Sequence, residues 1–297
     1  MPSDNRSQLI TVGVQGNVSS PEYPSLPASP YEIGADGQPE LRPSPGGIVY
    51  NVKVGDSAFG WLADMVQPGA GIRNPQDGPN HALNILSCIG NEAVVVSGRA
   101  LGARGTVTGK SGRFAEHVIV NFPREVLEKL AIEDRVLVRA HGRGLALTGH
   151  PDVQLKSLSP RLLDALETRE TADKLHVPVA AEVPAVLLGA GSGLLNESGA
   201  VSIQTDHAET VREHGLDRLR LGDIVALRDY DSRWGHGYRR GSVAIGVVAF
   251  GDSRRAGHGP GVTVIMSALH GRIEPVIVAE RNIATLLGLS VPLAAAV

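Results

Sequence analysis

The sequence holds one cysteine, Cys88, among 297 residues. It can therefore form no intrachain disulfide and no site built from several thiolates. The residues around it, LNILSCIGN, are apolar, which marks a buried structural thiol rather than a nucleophile. Aromatic residues make up only 4%. No apolar run approaches the ~20 residues of a membrane span. The longest, VAIGVVAF at 243–250, has the length of a strand and stops at Gly251-Asp252. A large excess of charge of either sign is also lacking: the formal net charge is −3, with both signs dispersed. Phosphate binding needs a basic stripe, so neither nucleic acid nor a membrane is an expected partner. The first residues, MPSDNRSQLITVGV, carry no basic-plus-apolar leader, and the cytoplasm is the expected location.

Familiar motifs are missing too. GTVTGKS (105–111) ends like a phosphate loop, but Arg104 stands where its first glycine should be. Gly189-Ala190-Gly191-Ser192-Gly193 follows an apolar run as a dinucleotide loop would, yet Leu194 takes the place of the third glycine. No nucleotide cofactor is expected. Asp229 and Asp231 open like a calcium loop that Arg233 and Trp234 then break. Neither G-x-S-x-G nor H-E-x-x-H occurs.

What the chain does have is 36 glycines and many valines and alanines. This predicts an α+β, mainly β fold: a glycine-turn-rich β-sandwich or barrel with a few short helices. Helices are expected near 124–131, 159–170, 208–219 and 280–288. Ser159 followed by Pro160 marks the start of one of them. The Pro/Gly/Ser-rich residues 16–47 read as an extended arm, one that could wrap a neighbour in a homo-oligomer. The division expected is an N-terminal β-rich domain at 1–158 and a C-terminal one at 159–297.

Groups capable of chemistry concentrate between 200 and 261. Asp252 and His258 flank a loop in which Gly257, Gly259 and Gly261 alternate. Successive amides in such a loop can hold an oxyanion. Asp206 and His207 end a strand, where they can serve as a metal or proton-transfer pair, although Asp206 with Glu209 also fits a helix cap. Asp229 lies in a polar excursion between two strands. The expected metal ligands are Asp206, His207, Asp229, Asp252 and His258, suited to a divalent Zn or Mn. The expected catalytic groups are His258, Asp252 and His207. Gly257, Gly259 and Gly261 are expected to bind the substrate, together with Asn84, Asn91 and Glu92 in the first half. Lys110 and His117 flank a glycine turn and read as surface positions.

The stretches GGIVYNVKVGDSAFG, PNHALNILSCIGNEA, GTVTGKSG and GSVAIGVVAFGDSRRAGHGPGVTVIMS resemble an uncharacterised bacterial and archaeal family, a domain of unknown function. That resemblance covers most of residues 45–270 and carries no reaction. Where the family tends to have a histidine after the aspartate of D-x-V-x-P-G, Met65 follows Asp64. A shorter similarity, to the acetamidase/formamidase family of metal-assisted amide hydrolases, rests on LRLGDIVAL, GSVAIGVV, Gly251-Asp252 and Gly257-His258-Gly259. Arg254 and Pro260 depart from it, standing where that family has a histidine and an acid.

The function expected is hydrolysis of a small amide, cyclic amide or ester, with a divalent metal activating water. The alternatives are a metal-free lyase or isomerase with a histidine proton carrier, or a non-catalytic binding or scaffold protein.

Overall fold

The computed structural model describes residues 2–21, 31–42, 46–111, 117–191 and 197–289. Its architecture is mainly β, as the glycine and valine content predicts. Six strands close on themselves: Val12–Val18, Arg135–Ala140, Glu92–Val95, Arg104–Ser111, His117–Asn121 and Gly69–Arg73, which pairs back with Val12–Val18. A closed ring leaves no unpaired edge among its members. Val14, Val18, Ile72, Val107, Val118, Val120, Val136 and Val138 fill its interior. These are β-branched residues whose alternation along the strands points one face inward.

The second half of the chain builds a six-stranded sheet. Its long members are Ile224–Asp231, Gly237–Phe250 and Gly261–Ala268, with Gln154–Leu155, Ala181–Val183 and Val201–Ser202 at their flanks. Residues from its two faces enter two separate apolar clusters, one around Ile245 and Met266 and the other around Ala244 and Val264. A sheet buried on both sides reads in sequence as an unbroken apolar run, which is why VAIGVVAF looked continuous.

The helices are short. Pro160–Ala165 has Ser159 as its N-cap, the hydroxyl accepting from Leu162 N–H at 3.1 Å, and Pro160 in the first turn. Arg124–Leu127, Ala208–Glu213 and Ile283–Leu286 fall within the expected windows, each shorter than expected. The longest among the described residues, Asp77–Leu86, lies outside those windows. Of the N-terminal arm, Glu32–Ile33 and Pro39–Glu40 form a small hairpin that folds back on the chain itself. Ala35 N–H donates to the Arg254 carbonyl at 2.7 Å.

Ring and sheet meet where the strand Arg104–Ser111 crosses Gly237–Phe250 and Gly261–Ala268. A β-carbon on Gly109 would lie 2.4 Å from the Ala249 β-carbon. The glycine of TGKS is therefore needed for two backbones to pack, not for a phosphate. Gly109→Ala should lower stability by about 1–3 kcal/mol through overpacking. In urea unfolding, the midpoint should fall while the slope stays constant.

Candidate functional site

The two segments on which the sequence concentrates its chemistry do meet. Ile203 N–H donates to the Pro260 carbonyl at 2.9 Å, and Thr205 N–H donates to the His258 carbonyl at 3.2 Å. Their side chains, however, bond to nearby main chain and hydroxyls. The Asp206 carboxylate accepts from Gly257 N–H at 2.7 Å, so that amide faces a carboxylate instead of an open anion site. Gly259 and Gly261 are required by packing: β-carbons there would meet the Ile203 carbonyl oxygen at 2.0 Å and the Phe250 ring at 1.9 Å. His207, not Asp206, is the N-cap of Ala208–Glu213. Its Nδ1 lies 3.3 Å from Thr210 N–H and 2.8 Å from the Thr210 hydroxyl. His258 Nδ1 lies 3.0 Å from the Ala256 carbonyl oxygen. Asp229 sits at φ +55° in the long hairpin and accepts from Gly241 N–H at 2.7 Å.

Asp252 is the most enclosed of the group. Burial pushes its carboxyl above the usual carboxylate range, against the Thr205 hydroxyl that donates to it at 2.8 Å. Nearby Asp64 is raised by the same cause, against a hydrogen bond from Ser253. Arg255 lies 3.5 Å from the Asp64 carboxylate. The cavity that Asp64 lines with Glu40, Arg42, Arg254 and Arg255 measures about 10 Å³, room for a single water. Among the described residues, no three His, Cys, Asp or Glu side chains converge as a metal would require. The five expected ligands do not fit such an ion, and no step is routed through one.

In the first half, Asn91 bridges main chain. Its Oδ1 accepts from Cys88 N–H at 2.7 Å, and its Nδ2 donates to the His141 carbonyl at 2.7 Å. Asn84 is buried in the helix Asp77–Leu86 and donates to the Asn80 carbonyl at 2.9 Å. Glu92 pairs with Arg104, and Arg139 lies 3.2 Å away. All three read as structural amides and ion pairs.

The sequence reading missed a second constellation, at the seam between ring and sheet. Lys110, expected at the surface, is 0% exposed. A register shift between Val107 and Gly109 precedes it and re-aims the strand. Its backbone N–H donates to the Thr263 hydroxyl at 3.1 Å, and that hydroxyl is 3.2 Å from its carbonyl oxygen, which bolts the residue to the second sheet. Nζ donates to the Ser157 hydroxyl at 2.8 Å and to the Glu197 carbonyl oxygen at 2.5 Å. Burial is the main cause that brings its amine down to about 8, with Arg143 and Lys156 adding and Cys88 and Glu197 opposing.

Ser157 follows the strand Gln154–Leu155 and is held at φ +45°. Such a left-handed conformation costs a non-glycine residue about 1–3 kcal/mol and persists only where its surroundings impose it. Here Lys156 N–H donates to the Ile265 carbonyl at 2.8 Å, and the Ser157 carbonyl accepts from Ile89 N–H at 2.7 Å. One bond runs into the sheet and the other toward the ring. Beyond the serine, the Glu197 carboxylate meets Lys156 Nζ at 2.7 Å, with the Arg143 guanidinium at 3.7 Å. Burial raises that carboxyl, but the Lys156 hydrogen bond and the two cations hold it below the usual range. The sequence signal was faint: a lysine inside GTVTGKS, and a Lys156-Ser157 pair between a strand and a helix.

Lys110 has a folded-state pKa below its free value of 10.5. The unfolded chain therefore binds more protons between about 8 and 10.5, and stability rises with pH across that window. The gain should be on the order of 3 kcal/mol. Lys110→Met should abolish the difference when urea unfolding is compared at pH 7.5 and 10.5.

Profiles for a domain of unknown function (DUF4438) match the chain in two parts, the N-terminal one at residues 31–164 and the C-terminal one at 165–287. No curated protein matches. The crystal structure of TM1086 is similar over 95% of this chain and 98% of that one, at 42% identity and a TM-score of 0.89. The acetamidase/formamidase similarity gains no support from these matches.

Proposed function

We propose that this chain, which belongs to the DUF4438 family, hydrolyses a small amide, cyclic amide or ester with Ser157 as nucleophile and Lys110 as base. The observation that carries this reading is the 2.8 Å approach of a fully buried lysine amine to a serine hydroxyl on strained backbone. A serine hydroxyl is a weak nucleophile until an adjacent base takes its proton. An ordinary lysine is protonated near neutral pH and cannot take it. An amine brought down to about 8 is neutral in a useful fraction of molecules.

The chemistry is acyl transfer. Ser157 Oγ bonds to the carbonyl carbon of the substrate as its proton passes to Lys110 Nζ. Collapse of the tetrahedral intermediate breaks the bond to the amine or alcohol, which leaves with that proton. Water, deprotonated in turn by Lys110, then attacks the acyl-serine ester; the bond to Ser157 Oγ breaks as Lys110 returns that proton to it, and the acid is released. No metal enters this sequence.

Hydrolysis of p-nitrophenyl acetate should rise with pH to a plateau, with its inflection at about 8. Ser157→Ala and Lys110→Met should each lower kcat at least ~10³-fold, while the circular dichroism spectrum stays that of the parent. A rate that is unchanged in Ser157→Ala would end this assignment.

A further inference from the structure

Glu197 presents two groups to this seam at once. Its main-chain carbonyl oxygen is 2.5 Å from Lys110 Nζ and 3.3 Å from the Ser157 hydroxyl, the place a substrate acyl oxygen would take. Its own carboxylate reaches Lys156 Nζ, a side chain only 3% exposed, with Arg143 beyond. Three carbons separate those two groups in any glutamate. Two cations thus face one carboxylate at a fixed reach from the serine, and an isolated ammonium as enclosed as Lys156 would be costly without an anion.

We infer that Glu197 fills the acyl place of the substrate, and that the substrate is an amide or ester whose acyl part carries a carboxylate, as in a glutaryl group. This rests on the Ser157–Lys110 reading and adds the substrate class. A carboxylate at that distance would exchange with that of Glu197 on Lys156 and Arg143. The acyl carbon would lie against Ser157 Oγ as the Glu197 main-chain carbonyl gives way to it. The reaction stays balanced as before: the oxygen–carbon bond to Ser157 forms, the leaving group departs with the proton held by Lys110, and water regenerates the serine.

The test compares mono-p-nitrophenyl glutarate with p-nitrophenyl butyrate, which lacks the carboxylate, on the full chain. Glu197→Ala frees Lys156 and Arg143 while keeping the main-chain carbonyl, so it should raise the ratio of kcat/KM for the glutarate ester to that for the butyrate ester at least ~10-fold over the parent ratio. Glu197→Gln keeps the bulk, guards against a folding defect, and should shift the ratio the same way. Adding Lys156→Met should bring the ratio back toward one. Calorimetry with free glutarate should show binding to Glu197→Ala and its loss on Lys156→Met. Equal rates on the two esters in both Glu197 variants would overturn the carboxylate inference and leave the serine–lysine reading standing. Hydrolysis that persists in Ser157→Ala, or is absent with both esters, would overturn both.

Discussion

A lysine amine enclosed between two β-layers is the constraint around which the rest of this molecule is arranged. Taking an ammonium out of water is expensive, and the usual relief is to lose the proton. Lys110 meets a hydroxyl and a main-chain carbonyl at its tip, both neutral groups, while the Glu197 carboxylate is bonded to Lys156 instead. Its surroundings have to be assembled with some precision. Gly109 lets the strand come close to Ala249, Thr263 brackets the lysine's own backbone, and Ser157 is forced into a left-handed conformation beside it. A solvent-facing lysine would need none of these. We take their coincidence at one point as the mark of a working site, a hypothesis that the serine and lysine substitutions address.

The glycine-rich loop at 251–261 has a different logic. Its conspicuous residues tie neighbouring segments together: Asp206 holds the Gly257 amide, the Thr205 hydroxyl holds the Asp252 carboxylate, and the hairpin at 32–40 is tied down through Arg254 to Asp36 and Glu40. The expected convergence of 205–207 with 252–258 therefore exists as a structural joint. Asp64 and Asp252 are both raised by burial, so proton uptake in that joint favours the folded chain at acid pH, the reverse of an exposed, salt-bridged carboxylate.

Much of the fold was legible in the residues, because period-two alternation and glycine punctuation are local signals. The mainly β architecture, the buried run at 243–250 and the Ser159-Pro160 helix start follow from them. Helix lengths were overestimated because short helices end where tertiary packing stops them. The seam was not legible. Lys110 and Ser157 are 47 residues apart, and nothing near either announces the other. A lysine in a strand reads as solvated by default, since burial depends on which sheet lies above it. Conversely, Asp206, His207 and Asp229 attracted attention as ligand types, yet the bonds they make are to backbone amides that carry no residue signature.

The closed ring has a bearing on how the protein comes into being. Its first strand, Val12–Val18, is locked on one side by Gly69–Arg73 and on the other by Arg135–Ala140. During synthesis the opening segment must wait until the ribosome has delivered the last of these before its second row of hydrogen bonds exists. Pairings so distant along the chain assemble slowly. Lys110, already made, meanwhile lacks the layer formed by residues beyond 150, so its amine stays hydrated until the second half arrives. The enclosure that lowers its proton affinity is thus among the last features a nascent molecule acquires, and an incomplete chain would carry an inert, ordinary lysine.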